Sequence, residues 1–386
     1  MYRIGVVTGT RAEYGLLKPL LQKIKEDDLL DLYLIVTGAH LEQRFGYTCQ
    51  EISQDGFHIS QKIDMDLSSD SAKGICRSIS KEIKGLAEAF DRSDMDLLIL
   101  LGDRYETLVS ALTAAMFNIP IAHIHGGETT KGAVDDAFRH AVTKMSHLHF
   151  ASTQSYARRI IQMGEPPQTV FHVGAIGTEN IRTIDFLTRE ELAEKYTNLF
   201  SADYMMVTYH PATLNEQPVQ EQMNALFDVI SEMPEYHYIF TYANADKGGA
   251  VINEMIDAFA AGHGNAAALK SMGQTGYLSA LNNACAVIGN SSSGIIEAPS
   301  FHIPTVNIGD RQEGRVAGSS VIHCGNGYQE IRAAFQTAVS PAFRKKCREY
   351  HNPYEGTHTC DTILTEIKKA LHKGICLQKE FYDIEV

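Results

Sequence analysis

The sequence has 386 residues, which is enough for two or three domains of ordinary size. Its 44% hydrophobic and 21% charged residues exclude intrinsically disordered, collagen-like and disulfide-rich classes of protein. Its net charge of −13 argues against a surface for nucleic acid or anionic membranes, so we expect neither as a partner.

Signals of cellular compartment are few. No run approaches the roughly 18 apolar residues of a membrane span, and the N-terminal residues lack the form of a signal peptide. The seven cysteines are scattered and contain no CxxC pair, which is typical of a reducing compartment and predicts no zinc or disulfide framework. We therefore expect a cytoplasmic protein.

Short hydrophobic runs alternate with helical stretches along the first half of the chain. The predicted strands cover residues 3–10, 32–38, 97–103, 119–127 and 147–152, and helices are predicted near 13–25, 134–145 and 153–163. Near-continuous apolar strands between helices indicate parallel strands that are buried on both faces. The pattern predicts a doubly wound α/β domain.

The second half repeats this pattern. Strands are predicted at residues 204–210, 237–243, 285–290 and 303–309, helices near 215–232, 249–261, 274–283 and 294–298, and an amphipathic last helix at 357–373. We place the domain junction at residues 174–175, within a glycine-containing segment. Two such domains predict a cleft between them, with ligands beyond the carboxyl ends of the strands.

Polar residues follow the predicted strands of the first domain. Gly9 and Arg11 open a helix without the GxGxxG pattern of a dinucleotide site, so the turn suits either an anion or a solvated arginine. Asp103 ends the predicted strand at 97–103, and Arg104 follows it. A carboxylate at a buried strand end is a candidate general base, although a helix N-cap is its commoner role.

The next strand ends in two histidines, His123 and His125, which alternate and are predicted to share a face. The helix that follows carries two i,i+4 pairs, Asp135 with Arg139 and Asp136 with His140. Acidic residues in a first turn also suit the helix dipole, which is the plainer interpretation. The two HxH pairs, His123 with His125 and His147 with His149, lack a fixed spacing to a third ligand, so they do not predict a metal site and we expect none.

The strongest local signal is the sequence Asn290-Ser291-Ser292-Ser293-Gly294, which opens a short helix. Hydroxyl groups and exposed backbone N–H groups favour a phosphate there, and Glu297 is placed to accept hydrogen bonds from a ribose. A helix cap is the alternative, but one cap does not need three serines. His210 ends a neighbouring strand, and a nearby loop adds Arg311 and Arg315.

Eight motifs in this order resemble the hydrolysing UDP-N-acetylglucosamine 2-epimerases of bacterial sialic-acid biosynthesis. They are GTRAEYG, TGAHL, GDR, HIHGGE, DDxxRH, HP, GNSSSG and GDRQxGR. The resemblance implies a glycosyltransferase-B-like fold of two Rossmann-like domains facing a cleft. Residues 1–174 would form the first domain, with residues 365–386 packing back on it, and residues 175–364 would form the UDP-binding domain.

The resemblance also implies a reaction. UDP-N-acetylglucosamine and water would give N-acetylmannosamine and UDP, through elimination to a 2-acetamidoglucal and then hydration. Neither a metal nor another cofactor would be needed. The UDP-sugar would be the small-molecule partner, and the protein would be a homodimer or homotetramer.

Site residues follow from the same resemblance. The implied acid/base candidates are Asp103, Asp135 and Asp136, with His210 near the diphosphate and the reacting sugar. The predicted substrate-binding residues are Arg11, Arg104, Arg139, Asn290, Ser291, Ser292, Ser293, Gly294, Glu297, Arg311 and Arg315. His125 stands where many relatives have a glutamate, so we hypothesise that His125 or Glu128 makes the second proton transfer.

Three alternatives stay open. The same chemistry on UDP-N,N'-diacetylbacillosamine would differ only in contacts to sugar carbons 4 and 6. A glycosyltransferase of this fold that uses UDP-N-acetylglucosamine would need an acceptor. A non-catalytic UDP-sugar sensor would bind UDP without exchanging the proton on carbon 2.

Overall fold

The computed structural model describes residues 1–69, 71–131, 134–211, 218–243 and 248–384. The chain forms two compact units. The first unit comprises Met1–Glu128, Asp135–Asn180 and Gly356–Val386, and the second comprises Thr129–Val134 and Ile181–Glu355.

The first unit is built on a parallel sheet in the order β3-β2-β1-β4-β5-β6-β7. Its strands are β1 (Tyr2–Thr8), β2 (Leu30–Thr37), β3 (Ile59–Ile63), β4 (Leu97–Leu101), β5 (Ile121–Ile124), β6 (Leu148–Ala151) and β7 (Val170–His172). Its helices are α1 (Arg11–Glu26), α2 (Cys49–Gln54), α3 (Ala72–Phe90), α4 (Tyr105–Met116), α5 (Asp135–Met145) and α6 (Gln154–Gln162), followed by α7 (Ile176–Thr183), which runs into the second unit.

The second unit has a parallel sheet in the order β10-β9-β8-β11-β12-β13. Its strands are β8 (Tyr204–Thr208), β9 (His237–Thr241), β10 (Ala266–Leu269), β11 (Ala286–Gly289), β12 (Thr305–Ile308) and β13 (Val321–Cys324). Its helices are α8 (Arg189–Lys195), α9 (Val219–Ser231), α10 (Gly249–Gly262), α11 (Gly273–Asn283), α12 (Ser293–Ile296), α13 (Tyr328–Val339) and α14 (Pro341–Arg348). Residues 215–217 of the helix predicted at 215–232 lie outside the described residues.

The last helix, α15 (Thr359–Lys373), belongs to the first unit. Its residues Cys360, Ile363, Leu364 and Ile367 join the apolar core that α1 forms with the sheet. Burial of that apolar stripe away from water is what stabilises the helix at this place. The two parallel-sheet α/β units and the return of the last helix agree with the predicted fold class.

The division of the chain differs from the predicted one in three places: Thr129–Val134 belongs to the second unit, and the two predicted boundaries move to Asn180 and Glu355. The structure divides the chain after Asn180 and after Glu355, where we had placed the boundaries after residues 174 and 364. The first turn of α7 stays with the first unit because the Asn180 side chain donates to the carbonyl of Gly15 at 3.1 Å. The return begins early because the Thr359 hydroxyl donates to the carbonyl of Val173 at 2.7 Å.

Two general features concern membranes and cysteines. Within the described ranges, no helix combines the length and the hydrophobicity that crossing a membrane requires. None of the seven cysteines, all of which the structure describes, forms a disulfide.

Candidate active site

A buried arginine links two of the predicted carboxylates on the first unit. Asp103, just beyond β4, forms an ion pair with Arg139 of α5, whose side chain is only 3% exposed. Arg139 Nη1 donates to the carbonyl of His125 at 2.8 Å and lies 3.9 Å from Glu128 Oε2. Charges taken out of water are stable only when they are paired, so Arg139 holds both carboxylates around itself. The structure thus brings Asp103, His125, Glu128 and Arg139 together.

The ring of His125 is fixed by its neighbours. Its Nε2 accepts a hydrogen bond from the backbone N–H of Ile176 at 3.2 Å, and its Nδ1 lies 3.6 Å from Glu128 Oε1. Because Nε2 is an acceptor, the proton of the neutral ring is assigned to Nδ1. A second proton on Nε2 would break the bond to Ile176 and leave a buried N–H unpaired, which costs about 1–3 kcal/mol. The geometry therefore favours a positioning role for His125 over proton transfer.

Glu128 receives a further hydrogen bond from a residue that the sequence analysis did not select. Ser152, directly after β6, donates from its hydroxyl to Glu128 Oε1 at 2.6 Å, and the Glu128 side chain is 1% exposed. The signal for Ser152 was its place at a strand end in the predicted sheet. The carboxylate of Glu128 is thereby held by one hydrogen bond, from Ser152, and by two longer contacts, with His125 and Arg139.

His123 supports the turn that carries Asp103. Its Nε2 is 2.8 Å from the carbonyl oxygen of Gly102, and its Nδ1 is 3.1 Å from the hydroxyl of Thr143. Burial lowers the pKa of His123 to about 3, so the ring is neutral at physiological pH. β5 ends at Ile124 and His125 adopts a left-handed backbone conformation, so the strand alternation that we extended to His125 stops before it.

The remaining predicted residues of the first unit lie at helix starts. Asp135 and Asp136 form the first turn of α5, and Asp136 Oδ2 lies 3.7 Å from His140 Nε2. Burial lowers the pKa of His140. Arg11 is the first residue of α1, and Arg104 immediately precedes α4, where it pairs with Glu106. Among the residues that the structure describes, no group of three His, Cys, Asp or Glu side chains is arranged to hold a metal ion.

On the second unit, Asn290 clamps the segment that carries His210. The backbone N–H of His210 donates to Asn290 Oδ1 at 2.7 Å, and Asn290 Nδ2 donates back to the carbonyl of His210 at 2.8 Å. The Asn290 side chain, which we had predicted to bind substrate, therefore bonds to protein backbone through both ends of its amide. It fixes the ends of β8 and β11 relative to each other.

The Ser291–Gly294 segment leads into α12, as the motif predicted. Tyr277 of α11 donates its hydroxyl hydrogen to Ser293 Oγ at 2.9 Å, and Glu297 follows α12 directly. Burial raises the pKa of Tyr277 to about 12, so its hydroxyl remains a donor. Sequence reasoning missed Tyr277 because a tyrosine within an ordinary helical pattern carries no motif of its own.

The loop after β12 folds over the same strand ends. Arg311 Nη1 and Gln312 Nε2 both donate to the carbonyl of Asn290, at 3.1 and 2.9 Å. Arg315 Nη2 donates to the hydroxyl of Thr130 at 3.2 Å. In the second unit, Asn290 thus holds the backbone of His210 and the Arg311 guanidinium, while Arg315 bonds to Thr130.

The sequence of the chain is similar to those of known proteins. A family model described as UDP-N-acetylglucosamine 2-epimerase matches residues 22–368. The chain is 37% identical over 385 residues to the polysialic acid biosynthesis protein P7 of Escherichia coli, a match that covers 100% of this chain and 98% of that protein. It is 36% identical over 383 residues to the GDP/UDP-N,N'-diacetylbacillosamine 2-epimerase (hydrolyzing) of Campylobacter jejuni, which covers 99% of each.

The fold is similar to that of a solved structure. With the UDP-GlcNAc 2-epimerase from Neisseria meningitidis bound to UDP-GlcNAc it has a TM-score of 0.80 at 16% identity, covering 95% of this chain and 100% of that one. The family model and the relatives extend over nearly the whole chain, through both units and both sets of strand-end residues. The chain belongs to the UDP-N-acetylglucosamine 2-epimerase family, with its glycosyltransferase-B-like fold of two parallel-sheet domains.

Proposed function

We propose that this enzyme catalyses the hydrolysing 2-epimerisation of UDP-N-acetylglucosamine to N-acetylmannosamine and UDP. The observation that carries the proposal is the pair of carboxylates, Asp103 and Glu128, held around the buried Arg139. Inversion at carbon 2 needs one group to remove a proton and another to return it on the opposite face. Two carboxylates fixed by one cation suit that requirement.

The proposed reaction has two steps. Asp103, the more exposed carboxylate at 21%, takes the proton from sugar carbon 2. The electrons of that C–H bond form the double bond between carbons 1 and 2, and the bond from carbon 1 to the diphosphate oxygen breaks to release UDP. A protonated carboxyl group then gives its proton to carbon 2 on the opposite face, and water adds its oxygen to carbon 1. The proton that the water loses restores that carboxyl group, and Asp103 releases its own proton to solvent. We assign the proton transfer to carbon 2 to Glu128, because both ring nitrogens of His125 are engaged.

We assign the leaving diphosphate to the second unit. The Ser291–Gly294 segment offers serine hydroxyl groups as donors, and Arg311 and His210 lie near it in the fold. Donors that are fixed before reaction stabilise the charge that develops on a leaving group. Glu297 would accept hydrogen bonds from the ribose, and Arg11, Arg104 and Arg315 are the further candidates for anionic groups of the substrate.

A second substrate has specific support. The Campylobacter jejuni relative, at 36% identity, carries the name of a diacetylbacillosamine 2-epimerase. The same elimination and hydration would apply to UDP-N,N'-diacetylbacillosamine, because carbons 1 and 2 react in the same way. The two substrates differ only at sugar carbons 4 and 6.

Incubation in deuterated water distinguishes these possibilities. We expect UDP and free N-acetylmannosamine with deuterium at carbon 2, followed by NMR. If only UDP-N,N'-diacetylbacillosamine gives product, that sugar is the substrate and not UDP-N-acetylglucosamine. Intact substrates without exchange would exclude the reaction, and a glycoside formed only with an acceptor would indicate a glycosyltransferase. Asp135→Asn and Asp136→Asn belong in the same assay, since both residues are acid/base candidates.

A further inference from the structure

Glu106 lies where three strand ends of the first unit meet. It stands in the first turn of α4, and its side chain is 2% exposed. Its Cγ would be 3.4 Å from a Cβ placed on Gly9, after β1, and its Oε1 would be 3.2 Å from a Cβ placed on Gly38, after β2. Gly38 has φ +60° and lies against the carbonyl of Gly9, so it must be glycine. The two glycines leave the space that Glu106 occupies.

The carboxylate of Glu106 faces Arg104, a predicted substrate-binding residue. Arg104 Nε donates to Glu106 Oε2 at 3.1 Å, and Arg104 Nη2 donates to Oε1 at 3.3 Å. This side-by-side pairing fixes both the position and the plane of the guanidinium group, which a single contact would not do. The Arg104 side chain is partly exposed while its partner is buried, so the buried carboxylate acts as the anchor.

Two further glutamates lie near this pair. Glu13 Oε2 accepts hydrogen bonds from the backbone N–H groups of Gly9 and Thr10, at 2.8 and 3.1 Å. Glu82 of α3 is wholly buried, and neither of its oxygens has a hydrogen-bond partner within the described part of the chain.

The protonation states of Glu13 and Glu82 bear on which carboxylate pairs with Arg104. Burial, reinforced by repulsion from Glu106, raises the pKa of Glu13 to about 7 and that of Glu82 well above its ordinary value. A neutral Glu82 does not compete for the guanidinium. Among the contacts that the structure describes, Glu106 forms an ion pair with Arg104.

We propose that Glu106 is a positioning residue, whose carboxylate holds the Arg104 guanidinium at the carboxyl edge of the sheet for an anionic group of the substrate. This rests on the proposed function, in which Arg104 contacts the UDP-sugar. Glu106 itself would touch no substrate atom. Its whole effect on the reaction would pass through Arg104.

A double-mutant cycle tests that dependence. We expect Glu106→Gln to lower kcat/KM by about 10–100-fold in the otherwise native enzyme, the size usual for loss of a supporting partner. In an Arg104→Ala background, Glu106→Gln should lower kcat/KM by less than about 3-fold, because the group that Glu106 positions is gone. Glu82→Gln is the matched control, because it removes a carboxyl group from the same cluster without breaking a hydrogen bond to Arg104. We expect it to change kcat/KM by less than about 3-fold.

Equal losses from Glu106→Gln in both backgrounds would overturn the proposal, as would an increase in activity. Thermal melting checks that each variant is folded, and Glu106→Asp replaces Glu106→Gln in the cycle if the latter fails to fold. Activity is measured on whichever UDP-sugar the native enzyme turns over. If it turns over neither sugar, the proposed function fails, and the same cycle on UDP affinity still decides whether Glu106 positions Arg104.

Discussion

The carboxyl edges of the two sheets are built from different interactions. On the first unit, the polar residues after β4 and β5 are held by buried ion pairs, with Arg139 between Asp103 and Glu128. On the second unit, the residues after β8, β11 and β12 are held by hydrogen bonds to Asn290, whose partners are the His210 backbone, Arg311 and Gln312.

The difference matches two chemical tasks. Proton transfer needs titratable groups whose position does not change as they gain or lose charge, and a buried cation between carboxylates supplies that. Anion binding needs donors that keep their hydrogen atoms at all working pH values, and backbone N–H groups and hydroxyls supply those. We therefore expect substitutions of the acid/base candidates at the first edge to lower kcat, and substitutions at the second edge to weaken binding.

The largest effect should come from the first edge. Glu128→Gln keeps the shape of the side chain but removes its acid/base function, so we expect kcat to fall by about 10²–10⁴-fold. UDP affinity should change by less than about 3-fold, since the diphosphate is assigned to the second unit. Steady-state kinetics and calorimetric UDP titration measure the two quantities. A variant that keeps more than about a tenth of native kcat would remove Glu128 from the mechanism.

At the second edge, Asn290→Ala removes both hydrogen bonds to the His210 backbone. We expect kcat/KM to fall by about 10–100-fold, mostly through weaker binding, because His210 and the serine segment lose their fixed relation. Asn253→Ala is the control, because Asn253 Oδ1 accepts a hydrogen bond from the backbone N–H of Ala243 at 2.8 Å at the end of β9. If kcat/KM falls equally in Asn290→Ala and Asn253→Ala, the role of Asn290 is in stability alone.

His125→Ala should have a smaller effect, although His125 lies beside Glu128. If its ring only positions Glu128, kcat should fall less than about 10-fold and the shape of the pH–rate profile should stay unchanged. Unchanged turnover would leave His125 without a functional part. If His125→Ala removes one limb of the pH–rate profile, or lowers kcat as much as Glu128→Gln does, His125 is a proton carrier.

The smallest effect that we expect is on stability and not on activity. It comes from a buried charge cluster at the opposite, amino-terminal edge of the first sheet. Glu165 accepts hydrogen bonds from His149 at 3.0 Å, Lys144 at 2.5 Å and Lys379 at 2.8 Å. Burial alone would raise the pKa of Glu165, but the hydrogen bonds from these donors outweigh it and lower that pKa to about 2. A carboxylate with a lowered folded-state pKa stabilises the protein above its unfolded pKa of about 4.5.

That stability should be lost as the pH falls from about 4.5 through 2. Over this range we expect the free energy of unfolding to drop about 1–2 kcal/mol further in the native protein than in Glu165→Gln. Denaturant unfolding at several pH values measures this difference in free energy. The kcat of both proteins at neutral pH is the reference for the candidate site at the carboxyl edge. Parallel acid curves for the two proteins would show that the cluster adds no pH-dependent stability.

The central strands of both sheets were predictable from the sequence, and the edge strands were not. The strands that escaped prediction are β3, β7, β10 and β13, and each lies at an edge of its sheet. A central strand is buried on both faces and reads as a continuous apolar run, whereas an edge strand is partly exposed and does not. β3 reads Ile-Ser-Gln-Lys-Ile, for example, with little apolar character between its ends.

The candidate site was predictable in composition but not in its pairings. Asp103, Glu128 and Arg139 each carried a motif signal, yet nothing in their spacing said that one arginine would bridge both carboxylates. Ser152 and Glu106 carried too little signal to be selected. Their importance comes from contacts with residues 24 and two positions away, at 2.6 and 3.1 Å.

By itself the sequence determined the alternating α/β architecture, the position of the strand ends and the order of the family motifs, because apolar runs and short motifs are local properties. Only the tertiary structure decided which nitrogen of His125 carries the proton and what Asn290 binds. Each of these depends on a hydrogen bond to a group that the sheet brings near, and such a partner is set by packing and not by spacing along the chain.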